Sequence, residues 1–303
     1  MCSGGSYRPY FICADPAALR TDHRHYRRTC LYLPVTEKAS GCKGAIVTAI
    51  SAHHICVQYQ QTQVLKQLDV TLPEGKVTAL LGANGCGKST LLKALSGQQT
   101  ITEGEIRLGQ DPLGALSRKA IARKLAFLPQ HPQAPDTMTV AELVMLGRYP
   151  YRRFLAISSA EDHRVVQDAL VKTGLETLAD RHLNRLSGGQ RQRAWLAMVL
   201  AQQAPLMMLD EPTSFLDIAH QYELLSLVRQ LNREQGTTVV MVLHDISQAI
   251  YFSDHILLMK QGQILAQGAP GEVINEDSIQ QVFGFNCRLE QSGQTQLLVP
   301  EGY

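Results

Sequence analysis

Apolar residues form two patterns along this chain, short continuous runs and a spacing of three and four positions, and each pattern predicts a type of secondary structure. Some runs are apolar or β-branched throughout and too short for helices, which is typical of buried strands in a parallel sheet. These predicted strands are residues 76–81, 206–209 and 237–243. Segments with β character also lie on either side of them, at 46–59, 64–72, 263–268 and 297–300.

Other segments carry apolar residues three and four positions apart, the spacing of one helical face. They are residues 89–95, 140–146, 165–178 and 273–283. Ser158 and Glu161 have the spacing of a capping box in front of the third segment, and Gly174 breaks it. Since the middle helices interrupt a strand-rich chain, we expect an α/β protein with a helical insertion.

Composition limits the partners of the chain. Its 303 residues carry a formal net charge of +2, so bulk electrostatics give no reason to expect nucleic acid. The sequence contains no run of the ~18 apolar residues that a membrane-spanning helix needs. Any role in transport would therefore require a channel from another chain. The 7 cysteines form no C-x-x-C pair, which argues against a zinc site and fits a reducing compartment.

Residues 1–46 lack a clear helical or strand period and carry a basic cluster at 20–28. A disordered extension fits this composition, and an arm for a membrane surface or nucleic acid is the alternative. A third hypothesis is that translation starts near Val47, at a GUG codon, which would make the extension an artefact. The intact mass of the native protein tests this third hypothesis, because a mass that includes residues 1–46 would reject it. In each case the catalytic domain is expected at 47–303.

A glycine-rich loop lies between the predicted strand 76–81 and the predicted helix 89–95. It matches the phosphate-binding pattern G-x-x-x-x-G-K-[ST], with residues Gly82, Ala83, Asn84, Gly85, Cys86, Gly87, Lys88 and Ser89, followed by Thr90. In such a loop, backbone N–H groups surround the phosphates of ATP, the lysine reaches the β- and γ-phosphates, and the serine binds Mg²⁺. The alternative, a simple glycine-rich turn, is disfavoured by the strand before it and the helix after it.

Four further segments follow this loop in a characteristic order. They are Gln130 after the apolar run 125–128, the pentapeptide Leu186-Ser187-Gly188-Gly189-Gln190, the pair Asp210-Glu211 after the run 206–209, and His244. From about residue 47 to the C-terminus, the chain resembles the nucleotide-binding subunit of an ATP-binding-cassette (ABC) transporter. The resemblance implies a P-loop NTPase (RecA-like) core with an antiparallel β portion and a helical subdomain inserted at about 131–190.

The resemblance also implies a role for each residue near the phosphates. Asp210 holds Mg²⁺, Glu211 is the general base for the attacking water, and Gln130 touches both the metal ion and that water. His244 contacts the γ-phosphate. Without the resemblance, two carboxylates at a strand end could equally be solvated loop residues.

The pentapeptide 186–190 is the feature that most favours ABC proteins over other phosphate-loop proteins. By resemblance, Ser187, Gly188, Gly189 and Gln190 contact ATP bound to a second copy of the chain, which implies a homodimer with two ATP molecules at its interface. Asp217 lies in the loop that communicates across such a dimer. The alternative for the pentapeptide is a simple helix cap. Tyr59 is expected to stack on adenine, although it could be an ordinary strand tyrosine.

Three stretches, 146–152, 186–201 and 210–221, resemble the ATPases of ferric-siderophore and ferric-citrate importers. This implies a membrane permease as partner, indirectly a substrate-binding protein, and a peripheral location on the cytoplasmic face of the inner membrane. Tyr149 and Arg152 are candidates for permease docking, with a helix-terminating turn as the alternative. Cobalamin or haem import, a soluble ABC ATPase outside transport and a phosphate-loop kinase are the other hypotheses. Soluble ABC ATPases usually carry two ATP-binding cassettes in one chain, whereas this sequence contains one, which disfavours that hypothesis. The pentapeptide disfavours the kinase.

Overall fold

A six-stranded sheet forms the centre of the protein. The structure is a computed structural model and describes residues 48–152, 158–292 and 295–301. The predicted extension 1–46 lies outside the described residues. The sheet contains β3 (Val77–Gly82), β6 (Leu125–Leu128), β7 (Leu206–Leu209), β8 (Thr238–Val242), β9 (His255–Lys260) and β10 (Gln263–Gly268). Its order is β10-β9-β3-β8-β7-β6, and all pairs are parallel except β10 with β9.

The central strands are apolar because both of their faces are covered. Every residue of β3, β7 and β8 is buried, which explains why these strands appear in the sequence as continuous runs without alternation. The predicted strand 206–209 has the observed bounds, and the neighbouring predictions are displaced by one residue at their ends.

A second sheet is antiparallel, and its strands lie before and after β3 in the sequence. Its strands are β1 (Thr48–Tyr59), β2 (Thr62–Pro73), β4 (Glu103–Leu108) and β5 (Asp111–Pro112), in the order β2-β1-β4-β5. Strands β11 (Cys287–Ser292) and β12 (Thr295–Pro300) form a separate hairpin. The expected antiparallel β portion is therefore present.

Helices cover the sheet and form the insertion between β6 and β7. They are α1 (Lys88–Leu95), α2 (Arg118–Lys124), α3 (Val140–Leu146), α4 (Ala160–Lys172), α5 (Gly188–Ala201), α6 (Ile218–Gln235), α7 (Ile246–Phe252), α8 (Pro270–Val273) and α9 (Glu276–Phe283). The inserted helices α3 and α4 both pack against α5. Helix α5 thus connects the insertion to the core, and its Trp195 is buried.

The predicted break at Gly174 is present: helix α4 ends at Lys172, the Thr173 hydroxyl donates to the Ala169 carbonyl, Gly174 takes a φ of +65°, and Glu176–Leu178 form a separate 3₁₀ turn. Two other local predictions were wrong. The capping box of α4 is formed by Ser159 and Asp162, one residue later than predicted. The segment 273–283 is divided into two helices, because Asn275 caps α9 with its side chain.

Among the described residues, no helix combines the length and apolar character that crossing a bilayer requires.

Candidate active site

The carboxyl ends of four neighbouring parallel strands bring the predicted site residues together. The glycine-rich loop follows β3, Gln130 follows β6, Asp210 and Glu211 follow β7, and His244 follows β8. Because parallel strands all end at the same edge of the sheet, residues more than a hundred positions apart in sequence become neighbours there. Ligand sites of open α/β sheets typically lie at this edge.

The glycine-rich loop needs glycine at defined points. A Cβ on Gly82 would lie 2.4 Å from the Met259 carbonyl oxygen and 2.7 Å from Cys86 Sγ. Gly87 caps α1 with a φ of +107°, in the left-handed region. The first N–H groups of α1 therefore face a loop without side-chain obstruction, which is the arrangement that binds phosphate.

Lys88 lies inside this loop and is buried. Its Nζ donates to the carbonyl oxygens of Gly82, at 2.8 Å, and Ala83, at 3.1 Å. An ammonium group has three protons, so one remains for a phosphate oxygen. The loop therefore fixes the position of the Lys88 ammonium group.

Asp210 and Ser89 form a pair that suits a divalent cation. Ser89 Oγ donates to Asp210 Oδ1 at 2.9 Å. Asp210 Oδ2 is buried and has no hydrogen-bond partner among the described residues. Burial raises the pKa of Asp210 above its ordinary value, although the Ser89 hydrogen bond opposes this. A buried carboxylate oxygen beside a hydroxyl is a donor set that Mg²⁺ accepts.

Glu211 is held by three side chains from three segments. His244 Nε2 lies 2.8 Å from its Oε1. Gln130 Nε2 donates to Oε2 at 2.5 Å, and Ser214 Oγ donates to the same oxygen at 2.9 Å. Its backbone has a φ of +51°, which is uncommon for a residue other than glycine. This strained turn directs the carboxylate toward the loop instead of into solvent.

These contacts also determine the charge of Glu211. Burial raises the pKa of its carboxyl group, but the hydrogen bonds from His244, Ser214 and Gln130 outweigh burial and hold the pKa below the ordinary value of 4.5. The group is therefore ionised at neutral pH, as a general base must be.

One cavity of about 380 Å³ contains most of these groups. It is lined by Val64, Asn84, Gly85, Gly87, Lys88, Ser89, Thr90, Gln130, Glu211 and His244. Val64 was not predicted as a site residue, since an apolar residue at a strand start gives no chemical signal. Tyr59 does not line this cavity, and its hydroxyl donates to Gln99 Oε1 at 2.9 Å.

The pentapeptide lies apart from this cavity, at the start of α5. Ser187 Oγ accepts from the Gln190 N–H at 3.3 Å, and Gln190 Oε1 accepts from the Ser187 N–H at 3.1 Å. Ser187 is therefore a helix cap, as the alternative proposed. The cap uses a lone pair, however, and leaves the hydroxyl proton and the N–H groups of Gly188 and Gly189 for a ligand.

The loop after Glu211 leads to a second cap. Asp217 Oδ1 accepts from the His220 N–H at 2.9 Å and lies 2.6 Å from His220 Nδ1. These two hydrogen bonds lower the pKa of Asp217. Phe215, two residues earlier, has a φ of +64° and is 86% exposed, with its ring 5.7 Å from that of His131.

The docking candidates lie in a short 3₁₀ turn after α3. Tyr149 is 75% exposed, whereas Pro150 is buried. The Tyr151 ring lies 4.2 Å from the Arg148 guanidinium, and the Arg152 carbonyl accepts from Lys119 Nζ. Tyr149 is therefore the most exposed side chain of the turn, and Tyr151 is exposed by 36%.

Two residues that position the site were missed in the sequence. Ser214 binds Glu211 directly, and Gln192 Nε2 donates to the Pro212 carbonyl at 2.8 Å, which ties α5 to the loop after Glu211. Both are common polar residues close to predicted motifs, and neither position has a distinctive pattern.

The comparisons with known proteins agree with this geometry. Residues 65–214 match the model of the ABC transporter family. The chain is 45% identical to the achromobactin transport ATP-binding protein of Dickeya dadantii over 84% of its length and 96% of that protein. This protein belongs to the ABC transporter family.

Two further comparisons place the chain among ABC ATPase subunits. It is 42% identical to the ferric enterobactin transport ATP-binding protein of Escherichia coli, over 84% of this chain and 95% of that protein. A dimeric structure of the cassette MJ0796 bound to ADP and Pi superimposes with a TM-score of 0.66 at 29% identity, over 73% of this chain and 98% of that one. The expected ABC ATPase fold is thus confirmed.

Proposed function

We propose that this ABC protein hydrolyses ATP to energise the import of a ferric siderophore or similar iron chelate through a membrane permease. The single observation that carries the catalytic part is the ionised Glu211 carboxylate, fixed by His244, Gln130 and Ser214 beside the phosphate loop. The cargo is supported by the achromobactin and ferric enterobactin relatives.

ATP binds with its phosphates on the loop formed by residues 82–90. Lys88 neutralises charge on the β- and γ-phosphates, and the N–H groups at the start of α1 surround them. Ser89, Asp210 and Gln130 would hold Mg²⁺, which would supply positive charge to the phosphate oxygens. The unpaired Asp210 Oδ2 supports this assignment.

Hydrolysis requires water to attack the γ-phosphorus. Glu211 accepts a proton from that water as the new P–O bond forms and the bond to the β-phosphate oxygen breaks. Gln130 and His244 hold the carboxylate in place and stand beside the γ-phosphate. The low pKa of Glu211 keeps it ready to accept the proton at neutral pH.

The second half of each ATP site comes from another copy of the chain. Ser187, Gly188, Gly189 and Gln190 would contact the γ-phosphate of the partner, Asp217 would communicate between the two sites, and Tyr59 would stack on adenine. The separation of the pentapeptide from the cavity in one chain supports this division, and so does the dimeric cassette relative.

Coupling to transport requires a permease at the cytoplasmic face of the inner membrane and, indirectly, a substrate-binding protein. We propose that the catalytic domain spans 47–303, that its helical subdomain spans about 131–190, and that the permease docks near Tyr149 and Arg152. The exposure of Tyr149 on an otherwise packed turn supports this surface.

Glu211→Gln tests the proposal. It should bind ATP, accumulate as an ATP-dependent dimer on size-exclusion chromatography, and lose at least about 100-fold in kcat, because it cannot accept a proton. A strain that lacks this protein should recover uptake of labelled ferric chelates with the native chain and not with Glu211→Gln. Full ATPase activity in the variant would reject the catalytic assignment, and normal chelate uptake in the deletion strain would reject the cargo.

A further inference from the structure

His220 lies between two segments that would face the partner in a dimer. Its ring packs directly on the second glycine of the pentapeptide. A Cβ on Gly189 would stand 2.7 Å from His220 Cδ2, 3.2 Å from Cγ and 3.3 Å from Nε2. The same construction on Gly188 meets nothing within 4 Å. Within one chain, a side chain at 189 therefore fits only if the His220 imidazole moves.

The other side of the same ring is attached to Asp217. His220 Nδ1 lies 2.6 Å from Asp217 Oδ1. This contact is additional to the helix cap, because the backbone N–H of His220 already donates to the same oxygen at 2.9 Å. Any residue at 220 would retain the backbone cap. The imidazole is thus not needed to cap α6. Its contacts with Gly189 and Asp217 therefore require another explanation.

We propose that His220 is a positioning residue that sets the pentapeptide turn at a fixed distance from the loop 214–217. This inference rests on the proposed dimeric ATPase. Asp217 holds the ring and the ring supports Gly189, so a displacement of the loop moves the N–H groups intended for the partner's ATP. Gln192 and Pro212 form a parallel tie one turn further along α5.

Two substitutions separate the two contacts of the ring. His220→Phe keeps a planar ring on Gly189 and loses the bond to Asp217, whereas His220→Asn keeps a short donor for Asp217 and loses the ring. Each should lower kcat and weaken ATP-dependent dimerisation in the Glu211→Gln background by about tenfold or more, since small misplacements of catalytic groups have effects of this size or larger. ATP affinity of the single chain should change by less than about twofold, because no contact joins His220 to the phosphate loop.

His163→Ala is the matched control. His163 also lies in the first turn of a helix and contacts a local oxygen, Ser158 Oγ at 2.9 Å, and none of its contacts described in the structure is with the pentapeptide. It should leave kcat and dimerisation unchanged.

A reciprocal pair of variants tests the contact between the ring and Gly189. Gly189→Ala places a methyl group against the ring and should weaken ATP-dependent dimerisation more than His220→Asn does, because the ring must move. Adding His220→Ala removes the obstruction and should restore about tenfold or more of the lost dimer affinity, measured in the Glu211→Gln background.

The outcomes are distinguishable. If Glu211→Gln alone does not dimerise with ATP, the proposed function fails. If it dimerises and the Phe and Asn variants dimerise equally well, the inference about His220 is overturned. If these variants instead lose melting temperature and single-chain ATP binding together, His220 is a folding residue and the inference is likewise rejected.

Discussion

At the scale of single residues, the site combines one carboxylate that is stabilised as an anion with one that is not. Glu211 receives three hydrogen bonds and has a lowered pKa. Asp210, its neighbour, receives one from Ser89 and has a raised pKa because it is buried. The two adjacent acidic residues thus differ in the way that their proposed tasks require, which are proton transfer for Glu211 and cation binding for Asp210.

Asp210→Asn tests the assignment of the cation. The substitution preserves shape but removes the charge, so affinity for Mg²⁺-ATP should fall by about 10- to 100-fold, while affinity for ATP in EDTA changes by less than about twofold. Isothermal titration with and without Mg²⁺ measures both. Equal losses in the two conditions would show that Asp210 does not act through the metal ion. The free energy of unfolding should rise, because the buried charge opposes folding at neutral pH.

At the scale of elements, the segment 147–151 is a rigid support built around a buried cation. Arg148 is 4% exposed, and its Nε donates to Asp162 Oδ1 at 3.0 Å. Its Nη1 donates to the Ala201 carbonyl and to Gln203 Oε1, both at 2.9 Å. The arginine therefore joins the turn after α3 to the start of α4 and the end of α5.

Removing one member of this ion pair should be costly. Asp162→Asn or Arg148→Met leaves a buried charge without its partner, which typically costs about 3 kcal/mol of unfolding free energy in urea denaturation. Glu161→Gln, on the same helical turn, breaks the exposed pair with Arg164 and should cost less than about 1 kcal/mol. Equal effects at the two positions would contradict the role assigned to Arg148.

The same pair has a defined pH dependence. The pKa of Asp162 is lowered to about 2, first by the Ser159 N–H, and also by hydrogen bonds from Arg148 and the Ser159 hydroxyl, against the effect of burial. Because the folded pKa lies below the unfolded one, the stabilisation is present above pH ~3.9 and is lost as the pH falls toward ~2. The stability difference between the native chain and Asp162→Asn should shrink over that interval.

This pair also explains what the sequence could not determine. Ser158 with Glu161, and Ser159 with Asp162, fit the same capping pattern one residue apart, so local spacing gives no preference. The later register is formed because it buries Asp162 beside Arg148, a contact from a different helix. By contrast, the strand 206–209 and the helix 140–146 were predicted with their observed bounds, because their apolar residues follow the pattern of burial in the folded chain.

The candidate site was predictable for a similar reason. The phosphate loop, Gln130, Glu211 and His244 each follow an apolar run, and parallel strands bring those runs to one edge. Gln192 and His220 were not predicted because their contacts depend on how α5 and α6 pack against the loop 211–217. No local pattern encodes that packing.

At the scale of the whole molecule, the proposed function requires that ATP hydrolysis be transmitted to a permease. Tyr149→Ala should leave ATP affinity within about twofold while reducing chelate uptake by about tenfold or more, because a large exposed aromatic residue is a typical interface anchor. Uptake in the deletion strain and ATP titration of the isolated chain measure the two quantities. Tyr251→Ala, a second exposed tyrosine at 64% on α7, is the matched control and should preserve both. Loss of ATP binding in Tyr149→Ala would contradict a docking role.

The cap at Ser187 has a consequence for any sequence that adopts this fold. The single side-chain oxygen of Ser187 caps the N-terminus of α5 and, in the proposed dimer, also faces the triphosphate of the ATP bound to the partner. Asparagine or aspartate would satisfy the helix equally well, but aspartate would bring negative charge toward an anion, and neither has a hydroxyl proton to offer. Only serine and threonine can both cap the helix and donate a hydroxyl proton. Nucleotide binding therefore allows fewer residue types at position 187 than helix capping alone would.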